Sequence, residues 1–257
     1  MSSLPKSYVR LVRSLERKKH RERHNLYVAE GDKLVCEMLD SDSIVEHLFA
    51  KPAWLEALPP RLLAKAHRVV GVGDKELSQI SFLKTPHQAL ALARMPDERP
   101  DMDEICEGLS LYLDEIQDPG NLGAIIRIAD WFGIRHALCG EGCADPFSPK
   151  SVQSTMGAIL RVKTAQTDES FFRQLKAHRP GFPVYGTFLN GESIYKSALP
   201  DKAVIVMGNE SKGISAAVAR HVAHRLLIPP FPPGKATCES LNVAMAAAVV
   251  CAEFRRG

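Results

Sequence analysis

The chain has 257 residues, enough for one large domain or two of ordinary size. Hydrophobic residues make up 45% and charged ones 25%, the balance of a packed globular protein rather than a disordered or fibrous one. A formal net charge of only +3 argues weakly for nucleic acid, so the distribution of charge has to be read instead. The first 25 residues are basic, lack the apolar core of a secretory signal, and hold Glu16 and Glu22, which argues against a transit peptide. Residues 5–24 suit a helix with Leu11, Val12 and Leu15 on one face. Strands are predicted at 26–31, 44–50, 67–72 and 87–94, with helices at 32–39 and helix-like stretches around 52–63 and 74–82. The stretch MPDERPDMDEICEG breaks this alternation with two prolines and many acids, and residues 96–108 read as an inter-domain linker.

Beyond the linker, strands are predicted at 109–116, 136–140, 159–165, 183–189, 203–208 and 225–229. Helices are predicted between and after them, at 121–132, 149–156, 169–177, 215–222 and 240–254. Such alternation implies an α/β fold with a parallel sheet covered on both faces, whose ligands sit beyond the carboxyl ends of the strands. The longest apolar stretch, Val243–Ala252, is too short to cross a bilayer, so no membrane partner is expected. Six scattered cysteines (Cys36, Cys106, Cys139, Cys143, Cys238, Cys251) fit reduced thiols in a cytoplasm. Cys139 and Cys143 have the spacing of half a zinc site, but no second pair matches them, so no metal is expected.

One pattern occurs three times in the second half: a buried run, a polar glycine-containing turn, another apolar run. In the first turn, Pro119 and Gly120 make the bend and Asn121 is a helix cap. Arg127 lies one helical turn past Gly123, on a face that starts at a helix N-terminus and suits a phosphate. In the second turn, Gly208 permits close approach while Asn209 and Glu210 present an amide and a carboxylate. In the third, Ile228 ends a strand, Pro229 and three further prolines stiffen the loop, Ser240 is the expected N-cap, and Asn242 lies just inside the last helix. Each turn alone is compatible with a capped helix and solvated side chains; the repetition points to an enzyme. No G-x-G-x-x-G, P-loop or G-x-S-x-G motif is present, which argues against a dinucleotide enzyme, an NTPase and an α/β hydrolase.

The three turns, in this order, resemble the motifs of the SpoU (TrmH-like) family of RNA ribose 2′-O-methyltransferases, in the SPOUT superfamily. The matching stretches are DPGNLGAIIRIADWFG, IVMGNESKGIS and IPPFPPGKATCESLNVAMAAAVV, joined by SVQSTMGAI, where Thr155 replaces a usual serine. Residues 14–39 resemble an amino-terminal RNA-binding domain of the L30e-like type. The resemblance implies an L30e-like domain over 1–95 and a SPOUT methyltransferase domain over 109–257, with a carboxyl-terminal trefoil knot. It implies S-adenosylmethionine as cofactor, held by main chain near Gly208, Ile228 and Leu241 with Asn209 and Pro229 beside them. It makes Asn121, Arg127, Glu210, Ser240 and Asn242 the active-site positions and a homodimer the expected assembly. The loop from Ile228 to Ser240 departs from many relatives in being longer and richer in proline.

Guanidinium stays protonated, so Arg127 is read as anchoring a phosphate and stabilising a forming alkoxide rather than as a base. Beside this domain, the basic run containing Arg13, Arg17, Lys18, Lys19, Arg21 and Arg23 is expected to track RNA phosphates. Ribosomal RNA is the first expectation and transfer RNA the second. Two other readings stay open: a non-catalytic RNA-binding dimer, and a SPOUT enzyme that methylates a base.

Overall fold

The computed structural model describes residues 4–97, 99–232 and 240–256. The chain divides into two compact units, 1–97 with 145–160, and 98–144 with 161–257.

The first unit opens with two helices, Lys6–Ser14 and Lys18–His24, where one was expected. Val12 and Leu15 are fully buried, each contributing about 2 kcal/mol of hydrophobic stabilisation, while the basic side chains other than Arg21 lie toward the outside. The break between the helices has a visible cause. Arg21, on the second helix, donates from Nη1 to Leu15 O and Glu16 O, both at 2.7 Å, capturing carbonyls that the first helix leaves unpaired. The second helix ends at Asn25, whose φ of 53° is the left-handed stop that asparagine tolerates.

Four strands follow: β1 (Leu26–Glu30), β2 (Val45–Ala50), β3 (Ala66–Gly71) and β4 (Ala89–Arg94). Their order is β1-β4-β2-β3. The β4 strand runs antiparallel to β1 and β2, and only β2 and β3 pair in parallel, so this sheet is mixed. Residues 145–160 complete the unit. Their helix, Pro149–Ser154, packs against β1, and Phe147 meets Tyr27 edge-on at 5.0 Å. In sequence this segment lies inside the domain expected over 109–257; by its contacts it groups with the first unit, and strand β1 is buried along its whole length.

In the second unit, the segment expected as a linker contains a helix, Met102–Cys106, capped by Asp101. Ile105 and Cys106 lie in the unit's core beside Tyr112, Leu138 and Phe171, so the acids that suggested a linker are the helix's outer face. Six strands follow: β5 (Leu109–Leu113), β6 (His136–Cys139), β7 (Lys163–Gln166), β8 (Val184–Ser193), β9 (Ala203–Met207) and β10 (His224–Leu227). All pair in parallel, in the order β10-β8-β9-β5-β6-β7. The adjacent strands β5 and β9 are buried throughout, as a sheet covered on both faces requires. Strand β7 starts later than expected. Met156 and Gly157 take left-handed backbone (φ 51° and 95°), Ala158–Leu160 form a tight helical turn, and pairing begins only at Lys163. Because the strands are parallel, the turns after β5, β9 and β10 leave one edge of the sheet.

Candidate active site

The helix Pro119–Trp131 follows β5. Its N-cap is Asp118, whose carboxylate accepts the Asn121 N–H at 2.8 Å, rather than Asn121 itself. Proline opens the helix because its missing N–H costs nothing in the first turn. With Asp118 capping, the Asn121 side chain is left to reach outward. Its Nδ2 donates to Glu210 Oε1 at 2.5 Å, and its Oδ1 accepts from Asn242 Nδ2 at 3.1 Å.

Asn242 is the N-cap of the last helix, Val243–Phe254, where Ser240 was expected. Its Oδ1 accepts the Ala244 and Met245 N–H groups at 2.9 and 3.3 Å, and its Nδ2 remains for Asn121. Ser240 sits two residues earlier, with Oγ 3.5 Å from Glu210 O. Four of the five expected active-site side chains therefore converge, one turn from each of three separate strands. Arg127 lies six residues beyond Asn121 on its helix, exposed, with no hydrogen-bond or ion-pair partner among the described residues.

The second turn is built around two glycines. A Cβ on Gly208 would lie 2.4 Å from the Gly213 carbonyl carbon, so no other residue fits. Gly213 supplies a φ of +70°, and Asn209 and Gly213 exchange two main-chain hydrogen bonds at 2.9 and 3.0 Å. Asn209 spends both ends of its amide on shaping this turn: Nδ2 donates to Glu115 O at 2.9 Å, and Oδ1 accepts from Ser211 and Lys212 N–H. Ile228 and Pro229 are half-buried after β10, and Leu241 is exposed. The remainder of the proline-rich loop, 233–239 with Cys238, lies outside the described residues.

Asp114 and Glu115, not singled out from the sequence, also touch the second turn: Asp114 Oδ2 accepts the Ser215 N–H at 2.6 Å, and Glu115 Oε2 is 3.2 Å from Lys212 Nζ. Their signal in the sequence is slight, two acids directly after a buried run. Cys143 braces the same stretch, donating to Leu113 O at 3.1 Å and accepting from Ile116 N–H at 3.3 Å. Burial pushes its thiol up to about 11, so it stays protonated. Among the described residues, no group of three or more His, Cys, Asp and Glu side chains could hold a metal. No helix among them is long and apolar enough to cross a membrane.

In the first unit, Arg17, Lys18, Lys19 and Arg23 are exposed. Arg13 is exposed but engaged, donating to Gln79 O at 2.7 Å and lying 5.3 Å over the Phe82 ring. Arg21 corrects the expectation of a surface cation. It is 2% exposed and paired with Asp145 at 2.5 Å, so its charge is spent inside the unit.

Two family models match the chain. The model of the SpoU rRNA methylase family matches residues 108–252, and that of the MRM3-like substrate binding domain matches residues 6–91. The 23S rRNA (guanosine(2553)-2′-O)-methyltransferase RlmP of Bacillus subtilis is 33% identical over 245 residues, covering 95% of this chain and 94% of that protein. A solved structure of a TrmH-family protein from Porphyromonas gingivalis superposes with a TM-score of 0.87 at 39% identity, covering 99% of both chains. The AdoMet-bound rRNA methyltransferase of Sinorhizobium meliloti gives a TM-score of 0.88 at 29% identity, covering 100% of this chain and 97% of that one. The chain with the Asn121–Glu210–Asn242 junction thus belongs to the SpoU rRNA methylase family.

Proposed function

We propose that this protein transfers a methyl group from S-adenosylmethionine to a ribose 2′-hydroxyl of a structured RNA, with ribosomal RNA ahead of transfer RNA. The observation that carries the proposal is the junction of three turns through Asn121, Glu210 and Asn242, with Asn121 on the helix that also presents Arg127, an arginine unpartnered among the described residues. The relatives point the same way: the Bacillus subtilis protein is a 23S rRNA 2′-O-methyltransferase, and the Sinorhizobium meliloti structure is AdoMet-bound.

The residues present suit that cofactor. Gly208 gives a turn without a side chain, Ile228 and Pro229 offer half-buried apolar surface for an adenine, and Leu241 offers more at the lip. S-adenosylmethionine would supply the methyl group from a sulfonium, departing as the neutral thioether while the 2′-hydroxyl proton passes to solvent. What the protein must add is alignment and a counter-charge for the developing alkoxide. Arg127 has the planar fork to bind the neighbouring phosphate and the permanent charge to steady that oxygen. Glu210 holds Asn121, and Asn242 holds it from the other side, so the three turns keep one spacing. Ser240 presents a hydroxyl at the rim toward ribose or cofactor.

In the same reading, the carboxyl-terminal part threads as a trefoil knot, the amino-terminal unit grips RNA, and the protein works in the cytoplasm. It acts as a homodimer. Trp131 is 84% exposed and Met245 65%, an apolar load that a lone subunit would leave in water, and their two helices pack together. The test is nucleoside analysis of ribosomal and transfer RNA from cells with and without the gene. Loss of one 2′-O-methylated nucleoside is the expected result. Loss of a base-methylated nucleoside, or no change, overturns the proposal.

A further inference from the structure

We infer that Asp114 and Glu115 are positioning residues that preset the second turn, 208–215, for the methyl donor. The inference rests on the methyltransferase reading above. The turn is held at both ends and in its middle by these two consecutive residues. At one end, Asn209 Nδ2 donates to Glu115 O at 2.9 Å. At the other, the Ser215 N–H donates to Asp114 Oδ2 at 2.6 Å. Between them, Lys212 Nζ lies 3.2 Å from Glu115 Oε2.

Three features mark this stretch as more than a loop. Asp114 is 4% exposed, and a buried carboxylate persists only where donors are aimed at it. Glu115 takes a left-handed φ of 55°, a conformation that glycine adopts more cheaply and that turns its carbonyl toward Asn209. The segment is also braced from its far side, where Ala144 N–H donates to Ile116 O at 2.8 Å and Ile116 N–H donates to Cys143 Sγ at 3.3 Å; at the root of the turn itself, Asp114 N–H donates to Met207 O at 2.9 Å. The stretch is thus a strut between the turn after β6 and the turn after β9. A turn fixed in advance spares the ordering cost that a loose one would incur when ligand arrives.

The test is the full-length protein carrying Asp114→Ala, with Glu115→Gly and Glu115→Val as companions. Asp114→Ala is expected to raise the Kd for S-adenosylmethionine at least tenfold and to speed amide exchange of 209–215 at least tenfold. Exchange in β5 and β6, and the KM for RNA, stay within twofold. Glu115→Gly, which keeps the left-handed backbone, holds the donor Kd within threefold, whereas Glu115→Val, which resists it, weakens it at least tenfold. If Asp114→Ala does not fold, the Glu115 pair decides alone. A donor Kd within twofold in Asp114→Ala and Glu115→Val, or exchange raised equally across the second unit, overturns the inference while leaving the methyltransferase intact. Wild-type protein that takes up no S-adenosylmethionine overturns both.

Discussion

Two arginines from the two units show how little a cation's place in the sequence says about its work. Arg21 stands in the most basic stretch of the chain, yet it is buried, satisfies two carbonyls and pairs with Asp145. Arg127 stands in an apolar helix, yet its guanidinium is exposed and unpartnered among the described residues. Local charge density favours Arg21 as the available cation, whereas the structure buries Arg21 and leaves Arg127 exposed. A cation that already has its hydrogen bonds holds the fold; one kept without them is available to a ligand.

That contrast can be broken by substitution. The largest effect is expected at Arg127: Arg127→Ala and Arg127→Lys should each cut methyl transfer about 100- to 1000-fold, because lysine keeps the charge but not the fork. Thermal melting should stay within about 1 °C, since the side chain is exposed and makes no hydrogen bond or ion pair among the described residues. Near-normal turnover in both variants would remove Arg127 from the chemistry. At Arg21 the expectation is the opposite. Arg21→Ala should cost about 3 kcal/mol in denaturant unfolding, because Asp145 and two carbonyls lose their donor. The salt dependence of RNA affinity should not move, and a flattened slope would return Arg21 to the RNA surface. Charge reversal at three of the exposed cations, Arg17→Glu with Lys19→Glu and Arg23→Glu, should weaken RNA binding about tenfold and reduce its salt slope by about 2. Donor affinity should be unchanged, and filter binding over a salt series reads both.

The smallest effect is a pH dependence. His136, at the start of β6, is 3% exposed, and burial holds its imidazole below the ordinary value despite Glu104 Oε2 at 3.1 Å. The unfolded chain therefore takes up a proton first as pH falls. Stability present above about pH 6.5 is lost below it, down to the lower folded value. His136→Gln should flatten the melting temperature against pH in that acid window by about 2 °C. An unchanged profile would mean that Glu104 already compensates for the burial.

The three turns were legible because their chemistry is local: glycine where a Cβ collides, and proline and asparagine at helix N-termini. The caps themselves were misplaced, Asn121 for Asp118 and Ser240 for Asn242. Any of these short polar residues can cap, and the choice is settled by which side chain a distant turn recruits. The helix Met102–Cys106 was hidden by its acids, since only Met102, Ile105 and Cys106 face the core. The allegiance of residues 145–160 was not legible at all. It depends on Asp145 meeting Arg21 and Phe147 meeting Tyr27, partners more than a hundred positions away.

That allegiance has a practical cost for anyone dividing the gene. A fragment stopped after residue 97 would lack the helix that covers β1 and the carboxylate that neutralises Arg21. It would expose a sticky strand and strand a lone buried cation, so its poor yield would say nothing about RNA. An autonomous module would need residues 145–160 spliced back as a graft, which makes this pair of units inseparable by simple truncation.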